Sequence, residues 1–475
     1  MRLYLINPHN PAVSLTNRKS LWNRFRIWKP LGLLVLAGMT PSEWEVTVVD
    51  ENLGPPDYAR MPRPDLVGIT AFTSQATRAY AVAAEFRARG VPVVMGGIHA
   101  SMCSAEASER VDAVVTGEAE GVWHEVLEDA KRGALEGIYV GPRVSLDEVP
   151  IARHDLLAGE YRLGSIQTTR GCPLRCSFCS VTAFNGGHFR HRPIDKVVDE
   201  LRLIQEKYVL IVDDNLIGTR GDHIARTKEL FRAMIRADLG KKWIAQVTIN
   251  MADDEELLEL ASRAGCLGVF IGFESPSVEG LAEVHKKFNL QKDRDFRSSV
   301  RRLQRHGIMV VGSFILGLDV DAPGIGEQIA DAAGRYGLDA LTLLILTPLP
   351  GTVLWTKMEE QGRIVANRFP DDWRYYTLAF PVAQYRQLSW AEVIEEEATC
   401  SRAFYSYPAM FRRALGALWR TRRPLSAAAG LLANLSYRSN AAHQRREMER
   451  FDLAGPGAAS RGEKQSPVVP VLQAH

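Results

Sequence analysis

The chain has 475 residues, 24% of them charged and 46% hydrophobic, an ordinary globular balance with material for about three domains at roughly 150 residues each. Lysine and arginine total 58 against 56 acids, a net charge of +2, which gives no support to a nucleic-acid partner. Met1 to Pro8 lacks a basic stretch followed by an apolar one, and the apolar run Leu31 to Met39 is far short of the roughly 20 residues that span a bilayer, so a cytoplasmic protein is expected.

In residues 1–135, strands are predicted at Arg2 to Pro8, Glu45 to Glu51, Asp65 to Phe72, Pro92 to His99 and Ala113 to Glu118, with helices over Ser74 to Gly90 and Met102 to Glu109. This α/β alternation predicts a doubly wound parallel sheet, whose ligands sit at the carboxyl ends of the strands. Those ends carry Asn7, Asp50, Thr73, Ser74, Gly96, Gly97, His99, Gly117 and Glu118. A nicotinamide-type domain is disfavoured because no G-x-G-x-x-G follows the first strand. Residues 136–160, with Pro142 and Pro150, read as a linker.

A second series fills residues 161–365. Its strands are predicted at Ser165 to Thr169, Tyr208 to Asp213, Trp243 to Ile249, Leu267 to Glu274, Met309 to Leu318 and Leu341 to Leu346, with helical patterns between them. Six such units predict a partial (β/α)6 barrel. Residues 366–450 read as a mostly helical cap, irregular and aromatic over Phe369 to Phe380 and rich in arginine after Arg402. Residues 451–475, rich in Gly, Ala, Ser and Pro, read as a disordered tail.

Six cysteines over this length do not make a disulfide framework. Cys103, Cys266 and Cys400 are scattered and read as small core residues, with a redox pair as the alternative. Cys172, Cys176 and Cys179 lie on one short loop after the first strand of the second series, spaced C-x3-C-x2-C. Three thiolates can fill three corners of an iron–sulfur cubane and leave the fourth iron open, unlike a four-cysteine ferredoxin site. A zinc site with His188 as fourth ligand is the competing reading.

The stretch Thr168 to Cys179 resembles the cluster loop of the radical S-adenosylmethionine (SAM) superfamily, with Phe178 matching its aromatic before the last cysteine. The resemblance implies that Cys172, Cys176 and Cys179 hold a [4Fe-4S] cluster whose open iron binds SAM. It further implies that Asp213 or Asp214 accepts the SAM amino group, that Glu274 contacts SAM or its ribose, and that Gly312 and Gly317 lie beside the adenine. Four segments before this loop resemble a cobalamin-binding domain: Leu5 to Pro8, Phe72 to Ser74, Gly96 to Ser101 and Thr116 to Gly121. There Gly96, Gly97 and Gly117 would let a corrin approach the backbone, while Thr73, Ser74, His99 and Glu118 would stand around it. The D-x-H-x-x-G motif that supplies a cobalt ligand elsewhere is absent, so His9 and His99 read as structural or tail contacts.

Together these resemblances imply a cobalamin-dependent radical SAM methyltransferase of the subgroup that contains hopanoid-type methylases. Its cofactors would be a [4Fe-4S] cluster, SAM and cobalamin. Its partners would be a small-molecule or lipid-like substrate and an electron donor such as flavodoxin or ferredoxin. No general base is named, since hydrogen-atom abstraction requires none. The alternatives are a radical enzyme that forms rings or rearranges its substrate without methylating it, and a non-catalytic metal-binding redox sensor. The basic stretch Phe411 to Arg450, with Leu415, Leu418 and Trp419, reads either as a solvated cap or as a peripheral membrane contact.

Overall fold

A computed structural model describes residues 1–12 and 27–421, with short pieces between 430 and 448; the expected tail 451–475 lies outside the described residues. Short apolar runs separated by helices pair in parallel, because each helix carries the chain back across the sheet before the next strand begins. The first sheet has strands β1 (Arg2–Asn7), β2 (Glu45–Asp50), β3 (Leu66–Thr70), β4 (Val93–Gly96), β5 (Ala113–Gly117) and β6 (Gly137–Gly141). Their order is β2-β1-β3-β4-β5-β6 and every pairing is parallel. The chain adds β2 on one side of β1 and β3 on the other, which puts a crevice at the carboxyl ends of those strands.

Two local expectations differ here. β6 falls within the segment read as a linker: Ile138 and Val140 face water on this edge strand while Tyr139 packs inward, so no continuous apolar run marks it. The helix expected over Met102 to Glu109 is two short ones, Gly97–Met102 and Ser104–Ser108, broken at Cys103.

The second sheet holds β7 (Leu163–Ile166), then, after a two-residue ladder of β8 (Thr169–Arg170) with β9 (Arg190–His191), β10 (Tyr208–Ile211), β11 (Lys242–Val247), β12 (Cys266–Glu274), β13 (Met309–Leu316) and β14 (Ala340–Ile345). The order β14-β13-β12-β11-β10-β7 follows the sequence, all parallel, and the edges β14 and β7 are not paired with each other. This is a partial (β/α)6 barrel. Alternate residues on its strands point to opposite faces. Val209, Ala245, Ile271 and Phe314 are buried under the helices, whereas Leu210, Gln246, Phe270, Ser313 and Thr342 are not fully covered. The inner face of the barrel is therefore open.

The segment Phe369 to Phe380, which no periodicity places, clamps the two domains. Trp373 is fully buried against the first domain, donating Nε1–H to Glu106 at 3.0 Å and packing edge-on to His99. The cap helix Trp390–Phe404 starts with a reciprocal Ser389–Glu392 capping box, and its Glu396 accepts the backbone N–H groups of Gly324 and Gly326 at the start of the helix Ile325–Tyr336. No helix among the described residues is long and apolar enough to cross a membrane.

Candidate active site at the domain interface

The three clustered cysteines lie in the loop that β8 and β9 close off at its base. Three consecutive residues after β10 position this loop. Asp213 accepts from Thr168 N at 2.6 Å and Thr168 Oγ1 at 2.5 Å, Asp214 accepts from Gly171 N at 3.1 Å, and Asn215 Nδ2 points at Cys172 Sγ at 3.9 Å. Asn215 is itself held 3.4 Å from Thr248 Oγ1, beyond the end of β11. Backbone N–H groups reach the sulfurs as well, from Leu174 to Cys172 and from Val181 and Thr182 to Cys179.

Burial pushes all three thiols up, Cys176 to about 12, and the Lys286 ammonium opposes it. Thiols kept protonated by burial ionise when a metal takes the proton's place, and N–H donors aimed at sulfur suit the resulting thiolates. The donor set fits a cluster held by three cysteines, each on its own iron. The competing zinc reading needs His188 as a fourth ligand beside the three cysteines. Cys103, Cys266 and Cys400 are buried and separate, each within a hydrophobic cluster.

The acids divide differently from expectation. Asp213 is fully buried, and burial pushes its carboxyl up to about 6 against the pull of its Thr168 hydrogen bonds. It is a strut between the ends of β7 and β10, with no exposed surface to offer an ammonium group. Asp214 instead lines the cleft between the domains. Glu274 ends β12 at φ +65° beside a register shift, and its carboxylate is taken by Lys286 Nζ at 2.9 Å. The acid expected to contact SAM is thus half of a buried ion pair next to the cysteines. Nothing in the sequence marks Lys286, since the pairing arises only when the chain turns back after the helix Val278–Glu283.

Three other residues singled out by the resemblance have packing partners of their own. A Cβ on Gly312 would stand 2.3 Å from Leu338 Cδ1, and one on Gly317 2.7 Å from Tyr385, so these glycines make room for those side chains. Phe178 packs against the barrel core.

A cleft of about 400 Å³ joins the two domains. On one side it is lined by Thr70, Phe72, Gly96, Gly97, Gly117 and Glu118 at the ends of β3, β4 and β5, and it runs down beneath the helix Leu31–Met39 to Gly32, Gly68 and Trp123. Its far wall includes Arg170, Ser180, Val181 and Asp214, so it ends directly after Cys179. Gly97 and Gly117 have φ of +88° and +73°, and a Cβ at either would come within 2.5 Å of Thr70 Oγ1 or the Gly141 carbonyl. A glycine-edged slot that continues as a deep apolar channel suits a flat ring with a long tail.

The side chains expected around that ring fare less well. Thr73 and Ser74 turn away in a short 3-10 turn and do not line the cleft; the exposed side chain there is Phe72. His99 is fully buried, bonded to Tyr80 Oη at 2.9 Å and 3.5 Å from Glu106, and is a structural residue. Glu118 lines the cleft, but its carboxylate is held by Arg170 at 3.3 Å and by Arg190, with Val144 N–H at 2.8 Å. These pairs hold its carboxyl below the usual range despite burial. Arg170 also reaches Glu120 at 2.6 Å. His9 pairs with Glu51 at 2.9 Å, and Asp50 accepts from Tyr161 Oη at 2.6 Å.

Comparison with known proteins agrees with this geometry. Residues 166–333 match the radical SAM superfamily and residues 23–127 the B12 binding domain. Bacteriochlorophyllide d C-12(1)-methyltransferase of Chlorobaculum tepidum is 31% identical over 403 residues, covering 82% of this chain and 85% of that protein. Hopanoid C-2 methylase of Rhodopseudomonas palustris is 30% identical over 346 residues, 71% of this chain and 65% of that one. Anaerobic magnesium-protoporphyrin IX monomethyl ester cyclase of Rubrivivax gelatinosus is 25% identical over 381 residues, 72% of this chain and 66% of that protein. Among solved structures, the radical SAM methyltransferase TsrM of Kitasatospora setae, with cobalamin and a [4Fe-4S] cluster bound, superposes with a TM-score of 0.62 at 19% identity, covering 91% of this chain and 99% of that one.

Proposed function

Because the chain belongs to the cobalamin-binding radical SAM methylase family and is a radical SAM enzyme using a [4Fe-4S] cluster, SAM and cobalamin, we propose that it transfers a methyl group to an unreactive carbon of a small-molecule or lipid-like substrate. The observation that carries this reading is the single cleft running from the glycine-edged ends of β4 and β5 to Ser180 and Val181 beside the last cysteine. The names of the hopanoid and bacteriochlorophyllide relatives support the substrate class. The electron arrives from a donor such as flavodoxin or ferredoxin.

When bound, the cluster supplies the electron that cleaves SAM, and cobalamin supplies the methyl group. In this reading Cys172, Cys176 and Cys179 ligate, with Asn215 and the N–H groups of Leu174, Val181 and Thr182 orienting their sulfurs. Asp214 receives the SAM ammonium at the cleft wall, a charge-assisted contact that Asp213 is too enclosed to make. Lys286, neutralised in part by Glu274, places positive charge beside three ligands that become anionic. Gly96, Gly97 and Gly117 would admit a corrin edge, and the helix Leu31–Met39 would lie over the channel left for its tail.

The test supplies anaerobic holoenzyme with reductant, methyl-deuterated SAM and a lipid extract. Methyl transfer predicts S-adenosylhomocysteine and 5′-deoxyadenosine in matched amounts, and an acceptor in which one hydrogen is replaced by the labelled methyl group. The second reading is ring-forming chemistry, favoured by the likeness to the cyclase. It predicts 5′-deoxyadenosine without S-adenosylhomocysteine.

The tail channel can be tested separately. Gly32 lines it on the helix Leu31–Met39, and a Cβ there meets nothing within 4 Å. Gly32→Phe should lower bound cobalt per chain at least about tenfold, since filling a site by one large side chain costs its ligand more than 1 kcal/mol. The melting temperature should hold or rise, because a helical glycine has been replaced. Cobalt retention at the wild-type level would remove the tail from this channel.

A further inference from the structure

We infer that the outer face of the helix Tyr407–Thr421 seats the protein on an anionic lipid surface. Tyr407, Phe411, Leu415 and Leu418 recur at intervals of four, four and three, which places them in one row along the helix. They are 57%, 55%, 65% and 39% exposed, and Trp419 beside them is 87% exposed. Single exposed apolar side chains are ordinary on a protein surface, but five of them in one row are not.

The opposite face of the same helix is fixed to the barrel. Met410 is buried, and Arg413 donates to Phe404 O at 2.9 Å and to Asn434 Oδ1 at 2.6 Å. Asn434 in turn donates to Asp339 O, just before β14, and Tyr405 Oη donates to Leu341 O. The apolar row is therefore presented outward on a rigid support, not left over from a poorly packed end.

Charge selects the occupant. Residues 398–446 contain nine arginines and no aspartate, glutamate or lysine, in a chain whose net charge is only +2. Arg412 is exposed at the edge of the row. Tyrosine and tryptophan bordering leucine and phenylalanine, with arginine alongside, match the composition of helices that lie in the head-group layer. Anionic head groups attract such a segment, and the apolar row supplies the insertion. The support is the amino end of β14, whereas the cysteines and the cleft lie at the carboxyl ends of the strands. The contact tethers the enzyme and leaves its mouth uncovered.

The inference is tested on the full chain by cosedimentation with phosphatidylcholine vesicles, with and without phosphatidylglycerol. Binding should require phosphatidylglycerol, weaken with salt, and fall more than about tenfold in the triple variant Phe411→Ser, Leu415→Ser, Trp419→Ser, since each removed side chain gives up a large apolar area. An unchanged melting curve and unchanged SAM cleavage in that variant show that folding and chemistry are intact. Failure of the wild type to bind phosphatidylglycerol vesicles overturns the inference. So does binding that the triple variant retains. A dimer, or a complex with an acidic protein such as flavodoxin, that is lost in the variant while vesicles are never bound would assign the row to that partner and overturn the lipid assignment.

Discussion

Cys176→Ala should leave the reconstituted protein with less than about one iron per chain and abolish reductive cleavage of SAM, because a cubane held by three protein ligands loses a corner with each cysteine. Cys176 is the most enclosed of the three by solvent exposure, at 7%, and its thiol is pushed up to about 12 by burial. Its side chain has no packing role that alanine would badly disturb, so the apo-protein should fold. Iron and sulfide analysis with the visible charge-transfer band reads the outcome. Cys103→Ala, Cys266→Ala and Cys400→Ala are the controls. Each should cost stability through a small core cavity and leave iron content unchanged, since these cysteines lie in hydrophobic clusters. Iron retained in Cys176→Ala, or lost in a control, would mean that the ligand set is wrong.

Lys286→Met should destabilise the apo-protein by about 3–5 kcal/mol, the usual cost of removing one partner from a buried ion pair. The side chains of Lys286 and Glu274 are 10% and 7% exposed, so solvent screens the pair little. The Glu274 carboxylate lies over Gly272, where a Cβ would come within 2.0 Å of Oε1, so the pair depends on that residue being glycine. The loss therefore comes mainly from a stranded Glu274 carboxylate, and Lys286→Met combined with Glu274→Gln should regain much of it. Denaturant titrations of the two single variants and the double variant make the cycle. A single-variant loss under about 1 kcal/mol would place the pair in water, in the range of surface salt bridges.

Much of the architecture was legible because it is periodic. Each of the six barrel strands is within a few residues of its predicted position, and the first-domain strands β1 to β5 likewise, since buried parallel strands are continuous apolar runs. β6 escaped because its edge position leaves Ile138 and Val140 in water. The cysteine loop was legible because its ligands are local in sequence. Contacts that depend on where the chain returns were not. Lys286 meets Glu274 only through a turn, and Trp373 reaches Glu106 across 267 positions. Motif likeness also does not separate neighbouring residues by their surroundings. Asp213 and Asp214 are adjacent, yet one is sealed behind Thr168 and the other opens on the cleft. Gly312 is on the strand face that packs against Leu338, a distinction that period-two alternation decides and a motif does not.

The β8–β9 ladder ties the cysteine loop to the first domain. Its two arginines, Arg170 and Arg190, are at once the posts of the cysteine loop and the partners of Glu118 and Glu120 on the first domain. The same two side chains fix the mouth of the cysteine loop and neutralise the buried Glu118 carboxylate that lines the cleft. The cysteine loop and the far wall of the cleft are thereby one mechanical unit, and a change that loosens either arginine is felt at both.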